Sequence, residues 1–424
     1  MSQKQPVPTG LQLTALDPVF RERPNEYLDR LRAEDPIHRD AELERLFLTR
    51  FEDAKAVVSN RSLSVDPRKA PDTALRRAII GNVPPGAFGP SMLRLDDPDH
   101  QRLRGLVTQA FNQRAVDAVR PRIRAIAEQL LDAVTDKASF DVITDYAAPL
   151  PIIVIAEVLG VDAGDLAQFK RWSDALSQSF NPVRTPEQSA ELVAAQQNLN
   201  DYFGRVVDAR RGRRGSDLIS ALVSAEEAGN RLTQREIVIT CNLLLVAGNL
   251  TTTDLIGNGV LALLKHPDQL AKLRASPEFV PNAVEEILRY DPPVASALRI
   301  ALEPFEIGGM EVRAGEGMTA SLIAAGHDPA RHADPHRFDV ERTDTSHLAF
   351  GGGAHFCLGA PLRARRGADR LTLAVRAFLE PASRPGPSDR AQARARIQWP
   401  ESAVGPPRLR RPPFLASSTK AAGD

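Results

Sequence analysis

Thr233 and Glu236 stand three residues apart at the head of a periodic segment that runs from Gln234 to Lys265. That capping-box spacing predicts a single helix of about 32 residues, roughly 48 Å long at 1.5 Å per residue and able to cross a whole domain. Its most apolar part, IVITCNLLLVAG at 237–248, includes Thr and Asn. That part is well short of the roughly 20 residues needed to cross a bilayer, so a buried helix is expected and no membrane partner. The rest of the chain must be arranged around this rod.

Composition narrows the class. The 424 residues balance 54 Lys+Arg against 54 Asp+Glu, with 42% hydrophobic and 5% aromatic residues and two cysteines. No basic excess marks a nucleic-acid binder, the apolar content is too high for disorder, and two cysteines are too few for a secreted disulfide scaffold. The N-terminus MSQKQPVPTGLQL has no apolar core of signal-peptide length, so a cytoplasmic protein is expected.

No linker or repeat divides the sequence, which predicts one large, mainly α domain with a smaller β-rich region. Helical patterns fall at 98–111, 120–134, 151–159, 188–210, Gln234–Lys265, 284–290 and 360–378. Strand patterns are short: 37–38 with 46–49, 298–302 with 305–307, and 318–322. Turn-rich tracts at 62–94, 179–187 and 327–353 are long for a compact domain, as binding loops and cofactor wraps are.

The two cysteines sit in different surroundings. Cys241 lies among aliphatics at helical spacing and reads as a small core hydrophobe. Cys357 lies in HLAFGGGAHFCLGAPLRARR, behind Gly351, Gly352 and Gly353 and ahead of Gly359. Glycines let a backbone turn tightly and approach something flat, and a helix beginning near Leu358 would lower the thiol pKa. Residues alone leave a glycine-rich turn with an incidental cysteine open. Zinc is disfavoured, because His336, His347 and His355 are nearby but no second cysteine supplies a paired spacing.

The run FGGGAHFCLG at 350–359 resembles the haem-binding loop of the cytochrome P450 family, FGxGxHxCLG, with Phe350, Gly351, Gly353, His355, Cys357, Leu358 and Gly359 in place. The resemblance extends over residues 18–380. It implies a P450 fold with the long helix at its centre, an N-terminal extension at 1–17 and a C-terminal segment at 381–424. It also implies haem b as cofactor, with Cys357 as the thiolate ligand of its iron, an arrangement that favours O–O cleavage.

Further motifs agree. Glu286 and Arg289 in EEILRYDPP have the family's ExxR spacing, one helical turn apart, and imply a structural brace. His100 and Arg104 in LRLDDPDHQRLRGLVTQAF, with Arg299 and His355, match positions that hold the haem propionates, whose buried charge needs cations and donors. DYAAPLPIIVIAEVLGV at 145–161 and HDPARHADPHRFDVER at 327–342 also look like family segments.

At the centre of the long helix, AGNLTTTDLIGNG resembles the family's oxygen groove. The resemblance implies that Ala247 and Gly248 line it and that Thr251 helps deliver protons. Threonines here can bond back to the preceding turn, so a local opening of the helix is expected. The pattern departs from the family at Leu250, where an acid is usual. Asp254, one turn on, and Asn249 are the residues left to organise water. Val246, Leu250, Val294, Ala295 and Ala297, with side chains from 62–94 and 169–186, are the expected substrate contacts. After the cysteine, Arg363, Arg365 and Arg366 form a basic cluster that suits an acidic ferredoxin or is simply solvated surface.

The resemblance implies a monooxygenase that inserts one oxygen atom from O2 into a small or medium apolar molecule with electrons from a ferredoxin chain. Two alternatives remain at this stage: a peroxide-driven enzyme or one without net O2 reduction, which Leu250 keeps open, and a non-catalytic haem or ligand-binding protein.

Overall fold

The computed structural model describes residues 6–73, 76, 89, 91–110, 113–137, 140–180, 184–213, 215–227 and 232–360. The expected helix at 360–378, the arginine cluster and the C-terminal segment lie outside the described residues.

The long helix forms with the predicted bounds, Gln234–Lys265, and its capping box is made: Thr233 Oγ1 accepts from the Glu236 amide at 3.3 Å while Glu236 Oε2 accepts from the Thr233 amide at 2.8 Å. Taken whole, it is long and apolar enough to cross a membrane, but 61% of its apolar window is buried inside the protein. Burial on most sides makes it the core rod that other helices cover. Leu166–Ser177, Pro186–Arg210 and Leu218–Glu227 pack along its first half, Pro149–Leu159 packs on both halves, and Val280–Tyr290 packs against its second half. One apolar cluster, including Ile155, Phe169, Trp172, Leu199, Phe203 and Leu245, fills the first interface. Leu255, Leu263, Val284 and Ile287 fill the second.

The β region is a sheet and a separate hairpin. The strands are β1 (Ile37–Asp40), β2 (Arg45–Leu48), β3 (Leu63–Ser64), β4 (Ser296–Ala301), β5 (Phe305–Ile307), β6 (Met310–Val312) and β7 (Gly317–Ser321). The sheet order is β1-β2-β7-β4-β3, with β2 and β7 parallel and the other pairs antiparallel. Its central strand β7 is buried throughout, and the helix Phe51–Ser59 packs on the sheet through Phe51, Ala54, Val57 and Val58.

Three sequence expectations are corrected. The segment 298–302 does not pair with 305–307: β4 pairs with β7 and β3, whereas β5 turns back on β6 through Gly308–Gly309. A two-glycine turn between short apolar runs is a hairpin signal in its own right. The helix expected from 120 runs Gln113–Asp132 and carries Pro121 in its interior, so the proline does not mark its start. The long helix shows no interruption at its threonines.

Candidate active site

Cys357 hangs from a loop built against the end of Phe51–Ser59. Gly351 and Gly353 take φ of +68° and +62°, conformations that favour glycine. A side-chain carbon on Gly353 would stand 2.9 Å from the Ser59 carbonyl oxygen, so the close approach also excludes any larger residue. The loop closes on itself: the Cys357 amide donates to the Phe350 carbonyl at 2.9 Å, and the Ala360 amide to the Cys357 carbonyl at 3.2 Å. Burial pushes the Cys357 thiol up, against the opposing pull of the Gly359 and Ala360 amides and of Arg104. That reverses the lowered pKa expected from sequence, because desolvation of the sulfur outweighs the donors aimed at it.

The helix Val280–Tyr290 supplies the brace. Glu286 and Arg289 are both 0% exposed, and Arg289 Nε and Nη2 donate to the two carboxylate oxygens of Glu286 at 2.7 and 2.8 Å. Arg289 Nη1 also donates to the carbonyls of Gly326 and Pro335, at 2.5 and 2.8 Å. A buried ion pair holds only when its remaining donors and acceptors are met, and here they are met by the irregular segment 326–342. Arg342 completes the set, donating from Nε to Glu286 Oε1 at 3.1 Å and from Nη1 and Nη2 to the carbonyls of Ala333, Asp334 and Arg337. Sequence reasoning missed Arg342 and Gly326. The flagged segment 327–342 contained the arginine, but nothing local ties it to Glu286.

The four expected propionate partners converge. The rings of His100 and His355 lie 4.0 Å apart between centroids. Arg104 Nη2 donates to the Phe356 carbonyl at 2.5 Å, beside the cysteine. Arg299, on β4, donates to the carbonyls of Leu298 and Val58 at 2.8 and 3.1 Å and lines one pocket with Asn60, Asp96 and His355. Burial pushes His355 down to about 4, with the charges of His100 and Arg299 adding to the effect, and burial lowers Arg299 as well. The nearby acid Asp96 is engaged by Ser64 and Lys69.

On the long helix, Thr251 Oγ1 donates to the Ala247 carbonyl at 2.7 Å. At 100° per residue, Ala247, Thr251 and Asp254 share one face, and Asn249 lies on the opposite one. There Thr253 donates to the carbonyls of Asn249 and Ala147, at 3.0 and 3.1 Å. Gly248 is not forced by crowding, since an added carbon would meet Ile155 at an ordinary 3.6 Å. Leu250 is buried, and Val246 packs on the cluster that holds Leu245. Val294 and Ala297 pack on the sheet cluster, whereas Ala295 faces a different one, with Phe20, Leu28 and Phe47. The described residues thus separate Ala295 from the other two.

The residues fit a haem. Nε2 of His100, 2% exposed, is a buried nitrogen without a partner. It sits where three further donor side chains meet, which is the chemistry needed to bury a propionate. Cys241, by contrast, is fully enclosed in the apolar core, and burial raises its pKa.

Comparison with known proteins agrees with this geometry. Residues 61–365 match the family profile described as Cytochrome P450. The chain is 42% identical over 380 residues to cytochrome P450 monooxygenase PikC of Streptomyces venezuelae, spanning 88% of this chain and 87% of that protein. It is 40% identical over 320 residues to 6-deoxyerythronolide B hydroxylase of Saccharopolyspora erythraea, spanning 74% and 78%. A solved structure of P450BioI in complex with hexadec-9Z-enoic acid ligated acyl carrier protein matches with a TM-score of 0.76 at 34% identity, covering 85% of this chain and 91% of that one. Fold and site together define a haem oxidoreductase. The chain belongs to the cytochrome P450 family.

Proposed function

We propose that this protein is a cytoplasmic haem-thiolate monooxygenase that transfers one atom of O2 to a small or medium apolar molecule and reduces the other to water, with two electrons from a ferredoxin and its reductase. The observation that carries the reading is Cys357, held by its own amide on Phe350 in a glycine loop beside four converging donor side chains. Haem b, when bound, supplies the redox centre at which O2 is activated.

The remaining work falls to the chain. Cys357 Sγ is the iron ligand, and Phe350 and Gly359 frame its loop. His100, Arg104, Arg299 and His355 hold the propionates. Ala247 and Gly248 leave room on the long helix, and Thr251 holds a proton on Oγ1 at the face it shares with Asp254. Leu250 cannot relay a proton, which leaves the acid of that face to Asp254. Val246, Leu250, Val294 and Ala297 present apolar surface to the substrate. The hydroxylase and monooxygenase names of two relatives support the reaction class.

The test has two parts. The reduced carbonyl adduct of the haem-loaded protein is expected to show the red-shifted band of sulfur ligation, and Cys357→Ser to abolish it. Turnover is then compared with ferredoxin, ferredoxin reductase and NAD(P)H against hydrogen peroxide alone. Product only with peroxide would establish the peroxide-driven alternative. Failure to consume reducing equivalents with any ligand that shifts the spectrum would establish a binding protein.

A further inference from the structure

His100 stands in the first turn of the helix Asp99–Ala110, and its two ring nitrogens are unequally engaged. Nδ1 lies 3.2 Å from Asp97 Oδ1, three residues earlier in the chain, whereas Nε2 is buried without a partner. Among the described residues, Asp97 is the carboxylate within ion-pair distance of that ring. Its neighbour Asp96 is turned elsewhere, accepting from Ser64, Lys69 and the Val65 amide. Asp97 also lines the small cavity shared by Asn60, Arg299 and His355, so the pair stands at the edge of the propionate set.

The two nitrogens make opposite demands on a neutral ring. With the proton on Nδ1, that nitrogen donates to Asp97 and the lone pair of Nε2 faces the oxyanion it has to hold. With the proton on Nε2, the lone pair of Nδ1 faces the Asp97 carboxylate. Either tautomer sets one acceptor against another, and only the doubly protonated ring donates to both. Most of its surroundings oppose that charge. The ring is 2% exposed, and it occupies the end of a helix where the dipole is positive. It also lies against His355, with 4.0 Å between centroids, and His355 shares its cavity with Arg299. Asp97, whose side chain is 47% exposed and keeps much of its hydration, supplies the offsetting charge without a large desolvation penalty.

We infer that Asp97 is a positioning residue for the haem: its carboxylate holds His100 as an imidazolium that donates from Nδ1 to Asp97 and from Nε2 to a propionate. This deepens the monooxygenase reading and rests on the propionate site described above. Asp97 acts through the ring and not on the haem. The propionate is then met by a charge-assisted donor whose own counter-ion stands on its far side, so no unpaired cation is buried beside the haem.

The test compares full-length wild type, Asp97→Asn, His100→Gln and the double variant, each loaded with haem and free of substrate, at one pH and ionic strength. Two quantities are read: the rate of haem loss to excess apomyoglobin and the reduction potential of the iron. In Asp97→Asn the ring gives up a proton, so the cation nearer the haem disappears together with the anion farther from it. Haem loss is expected to quicken about fivefold, the difference between a charged and a neutral hydrogen bond, and the potential to fall. An Asp97 that acted only as a surface charge would raise the potential when removed. In the His100→Gln background, Asp97→Asn is expected to leave haem loss unchanged, because an amide at position 100 has no charge to hold. A potential that rises or stays constant in Asp97→Asn, or an equal quickening with and without His100, overturns the inference. Equal haem loss from wild type and His100→Gln overturns it together with the placing of His100 on a propionate. Absence of the sulfur-ligation band from all four proteins removes the monooxygenase reading and leaves the coupling of Asp97 to His100 standing on haem loss. An intact band without that coupling removes only this inference.

Discussion

The hydroxyl of Thr251 donates to the carbonyl of Ala247 at 2.7 Å, so the side chain is pinned to the preceding helical turn and its oxygen keeps lone pairs free to accept a proton donor. Thr251→Ala removes that hydroxyl from the face shared with Asp254. Product per NAD(P)H consumed is expected to fall about tenfold or more, within the usual contribution of a positioned proton donor, with the missing electrons recovered as hydrogen peroxide. Thr251→Ser keeps an oxygen in place and is expected to retain most of the yield. Parallel measurement of product and peroxide checks both variants.

Asp254 is buried one turn beyond Thr251, in the chain that has Leu250 where its family usually has an acid. Asp254→Asn keeps the shape and removes the charge. Product formation is expected to slow about tenfold or more if the carboxylate serves the proton supply, with the substrate dissociation constant unchanged. Unchanged coupling would assign the supply elsewhere.

Gly326 touches the brace directly. A carbon added there would lie 2.1 Å from the Arg289 carbonyl oxygen, a backbone atom with no room to move. Gly326→Ala is expected to cost about 3 kcal/mol or more, read from urea unfolding. Gly248→Ala is the control: its added carbon meets Ile155 at 3.6 Å, and helix propensity favours the change by about 0.5–1 kcal/mol.

Acid should unfold the protein through its buried histidines. Burial pushes His327 down to about 3, helped by Arg289, His336 and Arg32, and pushes His332 down to about 4. Around His332 the charges of Arg289, Arg331 and Arg342 lower it and Asp344 opposes them. Both are neutral in the folded chain where the unfolded chain already binds protons, so the unfolded state gains protons as pH falls. Stability is therefore full above about pH 6.5 and is lost toward pH 3–4, with a slope of about 1.4 kcal/mol per pH unit for each histidine. Urea midpoints measured from pH 7.5 to 4.5 test this, and His332→Phe is expected to flatten the dependence.

Sequence carried the long helix to its terminal residues because a capping box and sustained periodicity are local signals, and it carried the cysteine loop because glycine spacing is local too. It did not carry the partners of β4. Five of its six residues pair with β7, about 20 positions on, and no local pattern encodes that choice. Short helices such as Phe51–Ser59 and Leu166–Ser177 went unread, although the first is the floor on which the cysteine loop rests. Arg342 lies 56 residues from the carboxylate it binds, a distance that only the folded chain closes.

The segment from Gly326 to Arg342 has almost no ladder of its own, and much of its main chain is met by two guanidinium groups. Such a segment is set in place by a knot and not by a weave. Its shape can be read straight off two side chains, and the stretch leading on to Cys357 inherits its starting point from them.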